Sequence, residues 1–397
     1  MTLRTKLLAV AGVIVVIASF AWRPIAEPRL VKFPSHLDRT LHYTGTAMVY
    51  VDAATGTVLA SPAAQPLSVD RHLQTVPGGG ARTVVIRETL TFFTGGRTLT
   101  EENQYVLDRR TMRNIRSPLS WAIVPSNVVD RSGSYSVNLP LGTDPARTYP
   151  LWKSEVGMTE TLRADAAAPS RVSGVATVGL SATLPATPVI AAQQASLVAQ
   201  GLPGALTGAQ VQARVAAAGT DMAAATRTLA SVLTPAQLTT VAALLAKPVP
   251  LHYVWSAAGV IAVNRPTGAL VMVPSDTITV SVQPDMGGLG QLQPMLAAHA
   301  QAPGVAALQH QLAAIVGTPP QPVYRLAFSE TAPSAAATAH TVSDQLTQLR
   351  IVRVYVPWGL LVLGAVLLAA AATTFIRRAR PEVPETAPAP VEWPHAA

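Results

Sequence analysis

No cysteine occurs anywhere in the 397 residues, which excludes disulfide staples, thiolate metal sites and a cysteine nucleophile together. A folded domain here must be held by its core alone. Charge is scarce as well: 13% of residues are charged, against about 25% in soluble domains. Acidic residues are few, and the adjacent pair Glu101-Glu102 would point to opposite faces of a strand, so the two could not act together on one bond. The eight histidines, among them His36, His42, His72, His252, His299 and His310, never fall at HxH or HxxxH spacing beside a carboxylate, so no zinc site is indicated. No GxSxG elbow occurs. Gly78-Gly79-Gly80 precedes a strand and carries no lysine, which excludes a phosphate loop and leaves a flexible linker. We therefore expect neither an enzyme nor a cofactor.

The formal charge of +8 resembles a nucleic-acid signal until its basic residues are located. Arg4, Lys6, Arg377, Arg378 and Arg380 lie beside apolar runs, and no Lys/Arg run is interleaved with aromatics, so no nucleic-acid partner is expected.

The chain is organised around residues 354–376, a stretch without charge that matches the roughly 20 apolar residues needed to cross a bilayer. Arg377, Arg378 and Arg380 form its basic stop, while Tyr355 and Trp358 at one end and Phe375 at the other suit the headgroup zone. Pro357 is tolerable in a first helical turn. A second apolar run spans 7–22, with Lys6 before it and Trp22-Arg23 at its end. It reads as a retained anchor with Lys6 and Arg23 snorkelling, or alternatively as a signal peptide cut after Ala21. The anchor reading gives a cytoplasmic N-terminus at 1–6, an exterior domain at 23–353 and a disordered, Pro-rich cytoplasmic tail at 377–397. That is a two-pass plasma-membrane protein with its main domain extracytoplasmic.

Between the anchors the signals are mostly those of strands. Thr83–Phe93 places Val84, Ile86, Leu90 and Phe92 on one face and Arg87, Thr89 and Thr91 on the other, interrupted only by Glu88. Thr94-Gly95-Gly96-Arg97 offers a hairpin turn and Tyr105–Leu107 a returning strand. A form apolar-x-apolar-Asp/Asn-x-x-Thr-Gly recurs at Val49–Val58 and Ile261–Leu270, with a looser copy from Tyr105 to Met112. Each copy reads as strand, turn, strand, with Asp52, Asp108 or Asn264 bonding the turn backbone rather than a metal. Val172–Leu184, Thr277–Val282 and Val323–Phe328 add strands.

Residues 188–250 form an Ala-rich insert of three or four short helices, restarted at Thr220-Asp221 and Thr234-Pro235. Its apolar face (Leu229, Leu233, Leu238, Val241, Leu245) needs covering, either as a cap packed on the sheet or on itself, or as a lid over an apolar cavity or a surface resting on lipid. A second helical stretch spans Gln291–Val316, and a polar run after Thr331 starts a helix that continues into the second membrane run. The expected fold is α+β and membrane-anchored: a large curved antiparallel sheet with the helical insert, flanked by N- and C-terminal transmembrane helices. Trp121, Tyr149, Trp152, Tyr253 and Trp255 are candidates to line an apolar groove, with sheet packing as the plainer alternative.

Several motifs then point to a family. They are Pro28-Arg29-Leu30 just past the first apolar run, Pro140-Leu141-Gly142-Thr143 leading to Thr148-Tyr149-Pro150-Leu151-Trp152, and His252-Tyr253-Val254-Trp255 before the Asn264 turn. With the closing membrane helix, this layout resembles the actinobacterial domain-of-unknown-function family 3068, some members of which carry the label porin PorA family. The resemblance covers nearly the whole chain outside the Ala-rich insert. It implies a cell-envelope protein of a high-GC actinobacterium and brings no catalytic residues with it.

The function expected at this point is binding or passing on a membrane lipid or other apolar envelope component. A structural protein that contacts other envelope proteins is the second reading and a porin-like pore the third.

Overall fold

The computed structural model describes residues 3–51, 58–217, 221–285, 287, 291–316 and 319–379. Two compact units emerge: residues 1–32 with 345–397, and residues 33–344. The turn of the first strand-turn-strand copy, Thr220, Arg380, the tail 381–397 and the side chains of Arg378 and Leu245 lie outside the described residues.

The smaller unit is a pair of helices. Helix α1, Leu3–Ala21, passes through a π turn at Trp22–Ala26 into the short α2, Glu27–Leu30; at the other end of the chain, α10 spans Val356–Ala379 behind a π turn at Ile351–Tyr355. The stretches Leu3–Ala26 and Ala332–Arg377 are long and apolar enough to cross a membrane. Within the unit Gly12 and Gly364 meet, and a Cβ on Gly364 would stand 2.6 Å from Val16 Cγ2 and 3.1 Å from the Gly12 carbonyl oxygen. Small residues at such a crossing let two backbones approach closely enough for dispersion to hold them where no water drives association.

Polar contacts tie the same pair: Ser19 Oγ donates to the Pro357 carbonyl (2.8 Å), Trp22 Nε1 to the Val352 carbonyl (2.8 Å), and Arg353 Nε to Glu27 Oε1 (2.7 Å). Trp22 is thus bonded inside the pair, while Tyr355 and Trp358 are exposed at 64% and 63%. Lys6, Arg23 and Arg377 are exposed too.

The larger unit is built on one antiparallel sheet curved into a half-barrel. One wing holds β1 Asp38–Val51, β2 Val58–Val76, β3 Thr83–Thr94, β4 Arg97–Asp108 and β5 Trp121–Ile123. The other holds β6 Tyr149–Lys153, β7 Met158–Ala164, β10 Val178–Pro188, β12 Val249–Val263, β13 Leu270–Pro284 and β14 Gln321–Glu330. A small hairpin of β8 Arg171–Val172 and β9 Val175–Ala176 stands apart, and β11 Ala205–Leu206 pairs with β12.

The wings join where β1 pairs with β14, so the unit's first and last strands are neighbours at mid-sheet. Gly45 of β1 sits opposite Phe328 there. A Cβ on it would come within 2.0 Å of the Ala327 carbonyl oxygen, so only glycine lets the strands approach this closely.

The local signals explain the hairpins. Gly95 and Gly96 take φ of 54° and 74°, the positive values a two-residue hairpin turn needs, and set Thr94 opposite Arg97. Asp108 Oδ1 accepts the backbone N–H of Arg110 and Thr111, each at 2.8 Å, and Asn264 Oδ1 accepts from Thr267 N and Oγ1 at 3.2 and 2.9 Å. Both side chains serve their turns, as their spacing predicts.

Strand alternation decides which face meets water. In β1, Leu41, Tyr43 and Ala47 are buried, while Thr40, His42, Thr44 and Thr46 are exposed. In β2, Leu67, Val69 and Leu73 are buried beside exposed Ser68 and Gln74. The inward face packs into two apolar clusters. The first joins strand residues such as Tyr253 and Val280 to helix residues Leu197, Val241, Leu296 and Val305 and to Leu233; the second gathers Leu73, Ile86, Leu107, Tyr135, Tyr149, Leu162 and Leu180. Each large apolar side chain so buried contributes roughly 1.5–3 kcal/mol.

The Ala-rich insert supplies four helices: α3 Ala191–Ala199, α4 Gly208–Ala217, α5 Met222–Val232 and α6 Pro235–Ala246. Asp221 caps α5, and Thr234 with Gln237 forms a capping box on α6. The second helical stretch is two helices, α7 Leu292–Ala297 and α8 Val305–Val316, and α9 runs from Ala332 to Arg350.

Because the chain has no cysteine, an engineered pair reports on one contact only. The hydroxyl oxygens of Thr5 and Thr374 lie 3.4 Å apart, so the Thr5→Cys/Thr374→Cys double variant should form a disulfide efficiently under mild oxidation. Adding Gly364→Leu, whose side chain has no room against Val16, should cut the crosslinked fraction several-fold on non-reducing gels.

Candidate functional site

Inside the half-barrel, between the two apolar clusters, lies a cavity of about 170 Å³. It is not lined by apolar groups alone: Arg71, Glu88, Lys153, Glu155, Glu160 and Asp276 all contribute to its wall. Strand register brings them there. Arg71 of β2 lies opposite Leu90 of β3, and Glu88 opposite Leu73, so both charges occupy inward positions of otherwise apolar faces. Asn103 and Tyr105 of β4 oppose Glu88 and Ile86. Asp276 of β13 opposes Gly259 of β12, where a Cβ would stand 3.2 Å from Asp276 Oδ1. Glu160 of β7 opposes Leu151 of β6, and Lys153 lies two residues further along.

The charges are partly paired. Arg71 Nε donates to Glu88 Oε1 at 2.6 Å, the Tyr105 hydroxyl donates to Glu88 Oε2, and Lys153 Nζ meets Glu160 Oε1 at 2.9 Å. Burial pulls the Arg71 guanidinium down, but Glu88, Tyr43 and Tyr105 outweigh it and the net shift is upward. Burial likewise opposes the charge on Lys153, and Asp276, Glu160 and Glu155 reverse the sign and raise it. Both cations therefore stay charged.

Glu155 and Asp276 behave differently. Burial raises both carboxyls, with Lys153 the leading opposing influence in each case. Burial also lifts Tyr43 to about 12 and, assisted by Glu88, raises Tyr105. Just beyond the cavity, burial and the neighbouring Glu155 push Glu101 up to about 7, against the hydrogen bond that Gln193 Nε2 donates to its Oε1 at 2.9 Å.

Arg131 braces the wall from behind. It is 1% exposed, donates from Nη1 to the Gln104 carbonyl (2.8 Å) and from Nη2 to the Trp121 carbonyl (2.9 Å) and Ser154 Oγ (3.3 Å). Its guanidinium carbon lies 4.4 Å from the Tyr105 ring centroid and 5.8 Å from that of Trp152. Stacking on two rings and forking onto two carbonyls is work for arginine rather than lysine.

The five aromatic residues singled out from the sequence divide. Trp152 and Trp255 line the cavity. Trp121 is buried in β5, Tyr149 stacks edge-on against Tyr135 with centroids 5.9 Å apart, and the Tyr253 hydroxyl donates to the Pro203 carbonyl at 2.7 Å. Those three do not join the cavity wall. The sequence signal that could have located the site is Glu88, the single interruption in the alternation of Thr83–Phe93. Among the described residues no group of His, Asp and Glu could hold a metal ion.

The cavity compares in size with the roughly 150 Å³ of an engineered apolar cavity that accepts benzene. It suits a small ligand, or waters, better than a long acyl chain.

These features define a class: a mixed α/β protein with a curved antiparallel half-barrel and an apolar helix at each end of the chain. Residues 5–373 match the Porin PorA family, and the chain belongs to it. No curated protein matches.

Two outcomes follow from the wall. Glu101 rises from an ordinary 4.5 to about 7, so its contribution to stability is complete below about pH 4.5 and is lost as pH rises through about 7, on the order of 3 kcal/mol in all. Glu155, Asp276 and Glu330 are raised too and act with the same sign. Thermal unfolding should therefore show a lower Tm at about pH 8 than at about pH 5, and Glu101→Gln, which still accepts from Gln193, should shrink the difference. Arg131→Met should destabilise the domain by roughly 2–4 kcal/mol by orphaning two buried carbonyls. Arg131→Lys should recover only part of that loss in denaturant titrations.

Proposed function

We propose that this protein is a membrane-tethered component of the cell envelope whose half-barrel, on the extracytoplasmic side, binds a small ligand in its interior cavity. The observation that carries this reading is the polarity of the sheet. Threonine, serine and histidine occupy outward positions of β1 and β2, while apolar residues and the charged cavity lie inward. A membrane barrel requires the reverse, an apolar exterior around a polar lumen. The two terminal helices meet the requirement that the sheet does not. The outward residues of α1 and α10, including Leu7, Val10, Ile14, Val362, Val366 and Ile376, are exposed and apolar, a surface that calls for lipid.

Arg4 and Lys6 at the start of α1 and Arg377 and Arg378 at the end of α10, with Arg380 following in the sequence, favour a cytoplasmic position for both termini. Membrane lipid then surrounds the helices, and the half-barrel faces the envelope space and its other proteins.

Pore formation is the second reading, favoured by the family's description as a porin. Since the outward faces of β1 and β2 are polar, such a pore would have to form from the helices of several copies. Planar-bilayer recordings separate the two: purified full-length protein should give no discrete conductance steps, and reproducible steps would establish the pore. Topology is read from single cysteines. Thr2→Cys and Ala397→Cys should resist a membrane-impermeant thiol reagent on intact cells while Thr46→Cys, on an exposed strand position, reacts. Labelling of either terminus would overturn the orientation.

A further inference from the structure

The cavity wall carries polar atoms that nothing in the protein satisfies. Among the described residues, Asn138 Oδ1, Asp276 Oδ1, Trp152 Nε1 and Trp255 Nε1 are buried without a hydrogen-bond partner, and all four residues line the cavity. Trp255 is 3% exposed, so its indole N–H is removed from bulk solvent. Leaving such groups unmet is costly. The side chains of Arg71 and Lys153 at its wall keep 16% and 21% of their exposure.

The charges indicate what would satisfy it. Glu88 takes Arg71 and Glu160 takes Lys153, which leaves Glu155 and Asp276 without a cation at ion-pair distance among the described residues. Around them stand the rings of Tyr43, Phe92, Tyr105, Trp152, Trp255 and Phe328. Unpaired carboxylates amid aromatic faces attract an organic cation, whose charge gains from both and whose weak hydration makes entry cheap. The indole N–H groups require an acceptor oxygen on the same ligand.

We propose that the half-barrel cavity is a site for a small organic ammonium ion that also carries a hydroxyl or ester oxygen, the ammonium against Asp276 and Glu155 and the oxygen against Trp152 and Trp255. This rests on the reading that the interior binds a ligand at all. Binding is linked to protons. Burial raises both carboxyls and only their ionised forms attract the cation, so affinity falls as the solution is acidified. The charged groups facing Asp276 are Lys153, Glu160 and Arg71, and those facing Glu155 are Lys153, Glu88 and Asp276, with Glu101, Arg131 and Tyr324 near it.

The test is calorimetric titration of the full-length protein in maltoside micelles with choline chloride, and separately with 3,3-dimethylbutan-1-ol, which keeps choline's shape and hydroxyl but not its charge. Choline should bind at least about tenfold more tightly than the alcohol, the cation–aromatic and carboxylate contributions together, and should weaken from about pH 8 to about pH 5. Asp276→Asn should cost choline a further tenfold or so, and Trp255→Phe, which keeps the ring and drops the donor, a smaller loss; circular dichroism verifies that each variant is folded. Dihexanoyl-phosphatidylcholine below its micellar concentration distinguishes sources: tighter binding than choline assigns a lipid headgroup, weaker binding a free amine, and either result supports the ammonium class. Equal or tighter binding of the neutral alcohol would overturn the ammonium assignment and leave a ligand-binding interior intact. No heat and no change in tryptophan emission with either probe would overturn both.

Discussion

The contact on which the larger unit depends is the one between Arg71 and Glu88, 2.6 Å apart on neighbouring strands, with the Tyr105 hydroxyl closing the other carboxylate oxygen. Three adjacent strands are tied through it at inward positions. Taking two charges out of water costs several kcal/mol per ion, and their attraction returns that only with good geometry and further hydrogen bonds. Apolar residues of similar volume would fill the same space at less cost, so the pair is poorly explained as a source of stability. It is better explained by what it does to the interior: it puts charge into the wall of a cavity that both apolar clusters border, a space that is neither dry core nor open groove.

Sheet polarity and helix composition then give the two units opposite surface patterns. The inward face of the half-barrel buries Leu41, Val69, Ile86 and Leu180 while threonine and serine face out, the pattern of a sheet folded in water. The terminal helices invert it, keeping their small residues, Gly12 and Gly364, at the mutual contact and turning large apolar residues outward. A single chain that carries both patterns cannot satisfy both in one medium. That is the physical basis for placing the two units in different surroundings, and the family relationship is compatible with it.

How much of this the sequence disclosed depends on the range of each contact. The Gly95-Gly96 hairpin and the Asp108 and Asn264 turns were legible because each closes within a few residues, using side chains whose chemistry permits few alternatives. The helix starts at Asp221 and Thr234 were legible for the same reason. Strand β2 was not: Pro62 and Pro66 interrupt its first half, and its inward row reads Leu67, Val69, Arg71, Leu73, where an arginine hides the alternation. Pairing with β1 and β3 overrides that local ambiguity. Lys153, Glu155, Glu160 and Asp276 carry no sequence sign of belonging with Glu88, since only the folding of one wing against the other brings them together. Trp121 and Tyr149 looked equivalent to Trp152 and Trp255, but Trp121 sits on β5 at one end of the strand order, and Tyr149, on the same strand as Trp152, packs edge-on against Tyr135 instead of joining the cavity wall.

Gly259 shows how the sheet makes room for a carboxylate it has no structural reason to hold. Glycine in a strand interior is unfavourable, with more entropy to lose and no side chain to pack. Gly259 nonetheless sits in the middle of β12, directly opposite Asp276. A Cβ there would stand 3.2 Å from Asp276 Oδ1, closer than an ordinary contact, and would press on an oxygen that already lacks a hydrogen-bond partner. A neutral side chain at 276 would spare the sheet the cost of a buried charge, and only the glycine at 259 leaves room for the carboxylate as it stands. The strand accepts a weak residue at one position and a costly one opposite it, and both costs fall on the same side of the same cavity. Stability favours neither choice, whereas the proposed cation site gives both a use.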